Sequence, residues 1–237
     1  MSFTRSSGSL QVLLVNGSRK ILGASATQLY PPSAAFSDVP VPYSHHQIAP
    51  NPAHQTQRTM STITTTPSFP PREILPILHE ITALLKSRNE TLSIAETASG
   101  GLISSSLLSQ PGASSIYKGG LTLYTLPSRI AYAGWSQETI ANYKGPTTEI
   151  VSGLARHVRR ELESTYTIAE SGTAGPTGGT TPNRRPGYVA LAVDCERGTF
   201  TRELDTGLGG HRVGNMVQFA VEALTLLREV ILGEAKL

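Results

Sequence analysis

Three short segments combine glycines, hydroxyls and small residues in a pattern that can do chemistry. They are Ser99-Gly100-Gly101, Gly112-Ala113-Ser114-Ser115 and the long run from Ser171 through Gly172, Thr173, Ala174, Gly175, Pro176 and Thr177 to Gly178-Gly179. Glycine lets the backbone come close to a ligand, and the unpaired N–H groups at the start of a helix attract an anion. Backbone donors unobstructed by side chains also suit the oxyanion of a tetrahedral intermediate in amide hydrolysis. Gly100, Gly101 and Gly172–Gly175 are the candidates for such donors. A loop with four glycines and a proline after a buried strand is costly unless its backbone must adopt special angles. No Walker lysine motif occurs, and no G-x-G-x-x-G follows the first expected strand, so nucleoside triphosphate hydrolysis and Rossmann dinucleotide binding lose their usual support.

The elements that must position these loops are legible in the hydrophobic spacing. Ile74, Leu75, Ile77, Leu78, Ile81, Leu84 and Leu85 recur at helical intervals over Arg72–Ser87, with Pro76 tolerable only in the first turn. Thr91–Ala95 is a β-prone run ending at Glu96, and Leu102–Leu108 then reads as a serine-rich helix. Gly119–Tyr124 alternates like a strand. Ser128–Ala133, Glu138–Tyr143 and Thr148–Glu163 read as helices, and Tyr166–Ala169 as a third strand running into the Ser171 loop. Gly187–Val193 and Thr199–Leu204 form a hairpin turning at Glu196-Arg197-Gly198, and Gly214–Leu232 is a closing helix. Strand, small-residue loop and helix in succession make the basic α/β unit. The expected fold class is α/β, three-layer αβα with a mixed sheet, over residues 71–237. In such a sheet the loops gather at the carboxyl ends of the strands, where ligands bind.

Charge separates this domain from what precedes it. Residues 1–70 hold four of the chain's 20 basic residues and one of its 17 acids, so residues 71–237 carry 16 of each. A formally neutral domain lacks the concentrated basic surface that phosphate backbones require, and no nucleic-acid partner is expected. Residues 1–70 are rich in Ser, Thr, Pro and Gln, with prolines too frequent for a regular element. They read as a disordered N-terminal extension or as a targeting presequence, because mitochondrial transit peptides are Arg- and Ser-rich and acid-poor. The expected location is cytoplasmic, with the mitochondrion as the alternative. Met60 offers a second start. No stretch approaches the roughly 18–20 apolar residues of a membrane span. Cys195 is the only cysteine, which excludes an intrachain disulfide and a Cys-based zinc cluster.

The order of the segments is specific. Ala95-Glu96-Thr97-Ala98-Ser99-Gly100-Gly101 resembles the A-E-S-C-T-G-G motif of the CinA C-terminal domain family. Pro111–Ser115 resembles its P/A-G-S-S turn, and Gly120–Tyr124 its G-x-x-x-Y strand. Ser171–Pro176 is similar to S/T-G-I-A-G-P, Arg185-Pro186-Gly187 to K-P-V-G with one residue lost, and Gly210-His211-Arg212 to G-D/N-R. The resemblance covers the domain and none of the extension.

The resemblance implies a nicotinamide-nucleotide amidohydrolase. Such an enzyme converts nicotinamide mononucleotide to nicotinate mononucleotide and ammonia, without metal or cofactor, in a dimer or higher homo-oligomer. It further implies a serine nucleophile assisted by a lysine and a tyrosine, which fall on Ser114, Arg129 and Tyr124. Arg129 stands where the family has lysine. Arginine stays protonated and is a poor general base, though it can bind phosphate or stabilise negative charge. Base duty would pass to Tyr124, to a water or to Lys118; alternatively the chain is a catalytically silent nucleotide-binding module. Thr97, Ala98 and Ser99 depart more mildly from serine, cysteine and threonine. Substrate binding is expected from Glu96, Ser99, Gly100, Gly101, Gly172, Thr173, Ala174, Gly175 and Arg212. Of these, Arg212 is a phosphate ligand or a surface ion-pair partner, and Glu96 either positions the amide or caps its turn.

Overall fold

The structure is a computed structural model that describes residues 69–237. The expectations for the N-terminal extension, including import, lie outside the described residues. Five strands form one sheet in the order β2-β1-β3-β4-β5. The strands are β1 (Leu92–Glu96), β2 (Tyr117–Thr122), β3 (Tyr166–Gly172), β4 (Tyr188–Cys195) and β5 (Gly198–Asp205). β1 runs parallel to both β2 and β3, whereas β4 and β5 form an antiparallel hairpin on the β3 side. The sheet is therefore mixed, as the alternation of units and the hairpin signal predicted.

The helices are α1 (Leu75–Arg88), α2 (Leu102–Leu108), α3 (Leu126–Tyr132), α4 (Gln137–Ala141), α5 (Thr148–Leu162) and α6 (Arg212–Leu232). Pro76 lies in the first turn of α1, where its missing N–H costs nothing. The hydroxyls of Thr125, Ser136 and Thr147 cap α3, α4 and α5 by accepting from the N–H three residues on.

The pleat sorts the core by size. Leu92, Ile94, Ile168, Val189, Leu191 and Val193 face one side, where they pack with Leu78, Ile81, Leu107, Phe219 and Leu227 of α1, α2 and α6. Ala95, Ala169, Ala190 and Ala192 face the other, and their small side chains let Val151, Leu154 and Val158 of α5 lie close. Helices thus cover both faces and complete the three layers. Among the described residues no helix is long and apolar enough to cross a membrane.

Two boundaries differ from expectation in ways that matter. β3 runs on to Gly172, so Glu170 is a buried strand residue and not part of the loop. β2 ends at Thr122, which leaves Tyr124 beyond the strand and 65% exposed. Both shifts follow from pairing: β4 continues to hydrogen-bond β3 through Gly172, while β1 ends at Glu96 opposite Thr122.

Candidate functional site

The carboxyl ends of the parallel strands carry the Ser99–Gly101 and Ser171–Gly179 loops. There Ala98, Tyr124, Gly172, Thr173, Ala174, Gly175, Thr177 and Arg212 line a cleft of about 170 Å³. Arg212, in the first turn of α6, reaches across it. Its Nη1 donates to the Gly175 carbonyl at 2.7 Å and its Nη2 to the Tyr124 hydroxyl at 3.3 Å. An adjoining hollow of about 400 Å³ shares Gly172 and Thr173 and adds Tyr143, Gly145, Pro146, Gly178, Gly179 and Arg184. The two together present guanidinium groups and backbone to an anionic, polar ligand.

The loop is held by what it packs on. A Cβ at Gly172 would stand 2.8 Å from both the Phe219 ring and the Tyr188 carbonyl, so only glycine fits there. Asn215, buried on α6, donates from Nδ2 to the carbonyls of Ala174 and Gly209 at 2.9 and 2.7 Å. Thr173 spends its N–H on the Tyr188 carbonyl. Among the described residues the amides of Ala174 and Gly175 have no backbone partner, and they are the donors available to a ligand.

The first motif does something other than expected. Glu96 and Ser99 are wholly buried and do not line the cleft. Glu96 caps α2: Oε2 accepts from the amides of Gly101 and Ile103, and Oε1 from the amide and hydroxyl of Ser104. The positive end of the short helix favours this carboxylate. Of the two readings open for Glu96, the turn cap is the one observed. Gly100 and Gly101 adopt positive φ of 69° and 95°, a run of two left-handed residues that glycine tolerates. They are not part of the cleft lining, and the Gly101 N–H, spent on Glu96, is not free for an oxyanion.

Glu170 is the buried acid that sequence reasoning passed over. Its Oε2 accepts from the amides of Thr97 and Ser99, both at 3.0 Å, and lies 2.7 Å from the Ser99 hydroxyl oxygen. Burial pushes its carboxyl above the ordinary range, opposed by the Ser99 and Thr97 bonds and reinforced by Glu96. The sequence shows only that each glutamate follows a β-prone run and precedes a small-residue loop; that the two meet is set by the strand register.

The expected catalytic set is not assembled within one chain. Ser114 sits exposed in a 3₁₀ turn (Ala113–Ser115) that precedes β2, whereas Tyr124 follows β2. At about 3.3 Å per residue, β2 alone separates its two ends by about 17 Å. Arg129 is 4% exposed and lies outside the cleft lining. Its guanidinium sits 4.9 Å from the Trp135 ring centre and 5.1 Å from that of Tyr143, and Nε donates to the Leu123 carbonyl at 3.4 Å. Arg129 thus anchors the segment after β2 by cation–π contact and has no approach to Ser114 in its own chain. Lys118 is exposed on β2.

The family model of the CinA C-terminal domain matches residues 75–231. The chain belongs to that family. Among curated relatives, the CinA-like protein of Shewanella amazonensis is 35% identical over 156 residues, covering 66% of this chain and 36% of that protein. The CinA-like protein of Fervidobacterium nodosum is 37% identical over 128 residues, covering 54% of this chain and 30% of that one. The chain therefore spans only about a third of the length of these relatives. In fold it is similar to the competence/damage inducible protein CihA of Agrobacterium tumefaciens, with TM-score 0.63 and 24% identity over 68% of this chain and 96% of that one. The CinA superfamily protein ECK1530/EC0983 of Escherichia coli matches with TM-score 0.61 and 20% identity, covering 66% of this chain and 90% of that one. At these identities the structures speak for the fold of the CinA domain alone.

Proposed function

We propose that this CinA domain hydrolyses the carboxamide of nicotinamide mononucleotide to nicotinate mononucleotide and ammonia, and that it does so as a homo-oligomer. The observation that carries the reading is the convergence of Tyr124, Arg212 and the Gly172–Gly175 loop on one cleft. Arg212 and Arg184 supply charge for the phosphate, and the amides of Ala174 and Gly175 supply donors for an oxyanion.

In this reaction the Ser114 oxygen attacks the amide carbon while its proton passes to the Tyr124 oxygen, which in the same relay hands its own hydroxyl proton to the amide nitrogen. The resulting oxyanion collapses, the C–N bond breaks, and the nitrogen, carrying the proton relayed through Tyr124, leaves as ammonia. Water then cleaves the serine ester, restoring the hydroxyl and releasing the carboxylate. Arg129, a guanidinium packed against the Trp135–Tyr143 pair, takes no part in these proton transfers.

Ser114 reaches the cleft from a second copy of the chain. β2 is an edge strand whose outer side is unpaired among the described residues. Antiparallel pairing of two β2 strands about Gly119 would set Ser114 of each copy opposite Tyr124 of the other, because both lie five residues from that centre. Lys118 then stands opposite Gly120, which has no side chain to obstruct it.

The test is ammonia release from nicotinamide mononucleotide by the full chain. Ser114→Ala and Tyr124→Phe should each abolish it, and an equimolar mixture reassembled together should recover about a quarter of wild-type activity through mixed dimers. Loss without recovery in the mixture would remove the shared site. A second reading, a silent nucleotide-binding module, draws on the arginine at position 129 and predicts saturable binding with no ammonia released.

A further inference from the structure

The Glu96–Ser99–Glu170 cluster lies beneath the cleft and takes part in no step above. The register pairs Ala95 with Ala169, so the next residues, Glu96 at the end of β1 and Glu170 two residues before the end of β3, stand side by side on adjacent parallel strands. The pleat turns both toward the face covered by α2 and α6, and both are 0% exposed. Between them the Ser99 hydroxyl lies 2.8 Å from Glu96 Oε2 and 2.7 Å from Glu170 Oε2.

Those two distances constrain the protons. A serine hydroxyl carries one hydrogen and can donate it to one carboxylate only. Two short oxygen–oxygen contacts at one hydroxyl require two hydrogens, so one of the carboxyls must be protonated. Were both ionised, one contact would set a lone pair against a negative oxygen in a site without water's dielectric, which is strongly unfavourable.

The donors decide which carboxyl holds the proton. Glu96 accepts four bonds besides that of Ser99, all from the start of α2, and this suits a carboxylate. Apart from its contact with that hydroxyl, Glu170 meets only the amides of Thr97 and Ser99, and its Oε1 is buried without a partner. The charged group acting on Glu170 is Glu96 itself. From β2 the nearby titratable group is the Tyr117 phenol, bonded to Ser104 and raised by burial. From α6 the residues packed on this end of the sheet, Asn215, Met216 and Phe219, are uncharged. Arg212, at the start of α6, spends its guanidinium on the Gly175 carbonyl and the Tyr124 hydroxyl in the cleft above, and no cation is among the groups acting on Glu170.

We propose that Glu170 is kept as a neutral acid and acts as a positioning residue. Its Oε2–H donates to Ser99 Oγ, and the Ser99 hydroxyl donates to Glu96 Oε2. This two-bond chain ties the end of β3 to the loop after β1. Ala98 on one loop and Gly172–Gly175 on the other line the cleft, so the proton on Glu170 holds its two walls in register. Removing that proton places two carboxylates on one hydroxyl and parts the loops.

The experiment is infrared spectroscopy of the full chain, which separates the C=O stretch of a carboxylic acid from that of a carboxylate and does not depend on the reaction the cleft performs. A carboxylic-acid band should be present at pH 7, absent in Glu170→Gln and lost from the wild type as pH rises, together with a fall in the thermal unfolding midpoint. The midpoint of Glu170→Gln should not show that fall. A wild-type chain with no acid band at pH 7 overturns the proposal without recourse to any variant. So does a band that persists undiminished in Glu170→Gln.

Discussion

Arg212 bridges the cleft, with one guanidinium nitrogen on the Gly175 carbonyl and the other on the Tyr124 hydroxyl. The planar fork makes both contacts at once, which a lysine ammonium on a flexible stem does not reproduce. Arg212→Lys should therefore raise the KM for nicotinamide mononucleotide by about tenfold or more, corresponding to about 1.5–3 kcal/mol for a hydrogen bond to a charged group. Steady-state ammonia release measures it. An unchanged KM would place the phosphate elsewhere.

Arg129 belongs to the scaffold of the segment after β2. Its removal would strip both rings of their cation and leave a hole beside Leu123. Arg129→Ala should cost about 2–4 kcal/mol of stability, with Arg129→Lys intermediate, by denaturant titration. The lysine variant should not gain deamidase activity, since position 129 lies outside the cleft.

Gly172 faces a steric limit set by backbone as well as by a ring. The Tyr188 carbonyl cannot retreat without disturbing its bond from the Thr173 N–H. Gly172→Ala should destabilise by about 1–3 kcal/mol and weaken nucleotide binding in the same variant. Thermal unfolding and isothermal titration together check it. Gly153, with open space around its missing Cβ on α5, is the control and should tolerate alanine.

The raised carboxyl of Glu170 has a defined consequence for stability. In the unfolded chain it loses its proton at an ordinary acidic pH; in the folded protein burial retains that proton to higher pH. Between those two values the native state binds more protons than the unfolded one, so stability falls as pH rises. The contribution is complete below the ordinary carboxyl pKa and lost as pH climbs through the raised one. Stability against pH should flatten over that window in Glu170→Gln.

Much of the fold was legible because its signals are local. Helical spacing marked α1, α5 and α6 within a few residues, alternation marked the hairpin, and the caps at Thr125 and Thr147 sit where short-range hydrogen bonding favours them. The order of six motif blocks identified the family without any contact being known. The Gly172–Gly175 loop, Tyr124 and Arg212 do meet, since the carboxyl ends of parallel strands must bring their loops together.

What only the tertiary structure decided concerns residues whose meaning depends on distant partners. Glu170 carries no local mark that separates a buried strand acid from a loop acid; the register with β1 sets it beside Glu96, 74 positions away. Ser114 and Tyr124 lie ten positions apart, yet an extended strand holds them at opposite ends of the sheet. Arg129 occupies the family's lysine position, but Trp135 and Tyr143, in contact with each other, draw its guanidinium against their rings. Sequence by itself determined the elements, the family and the end of the sheet where the loops gather. Pairing and packing decided which side chains face the cleft, because the pleat, the strand register and the aromatic partners act across the fold and leave no period or spacing to read.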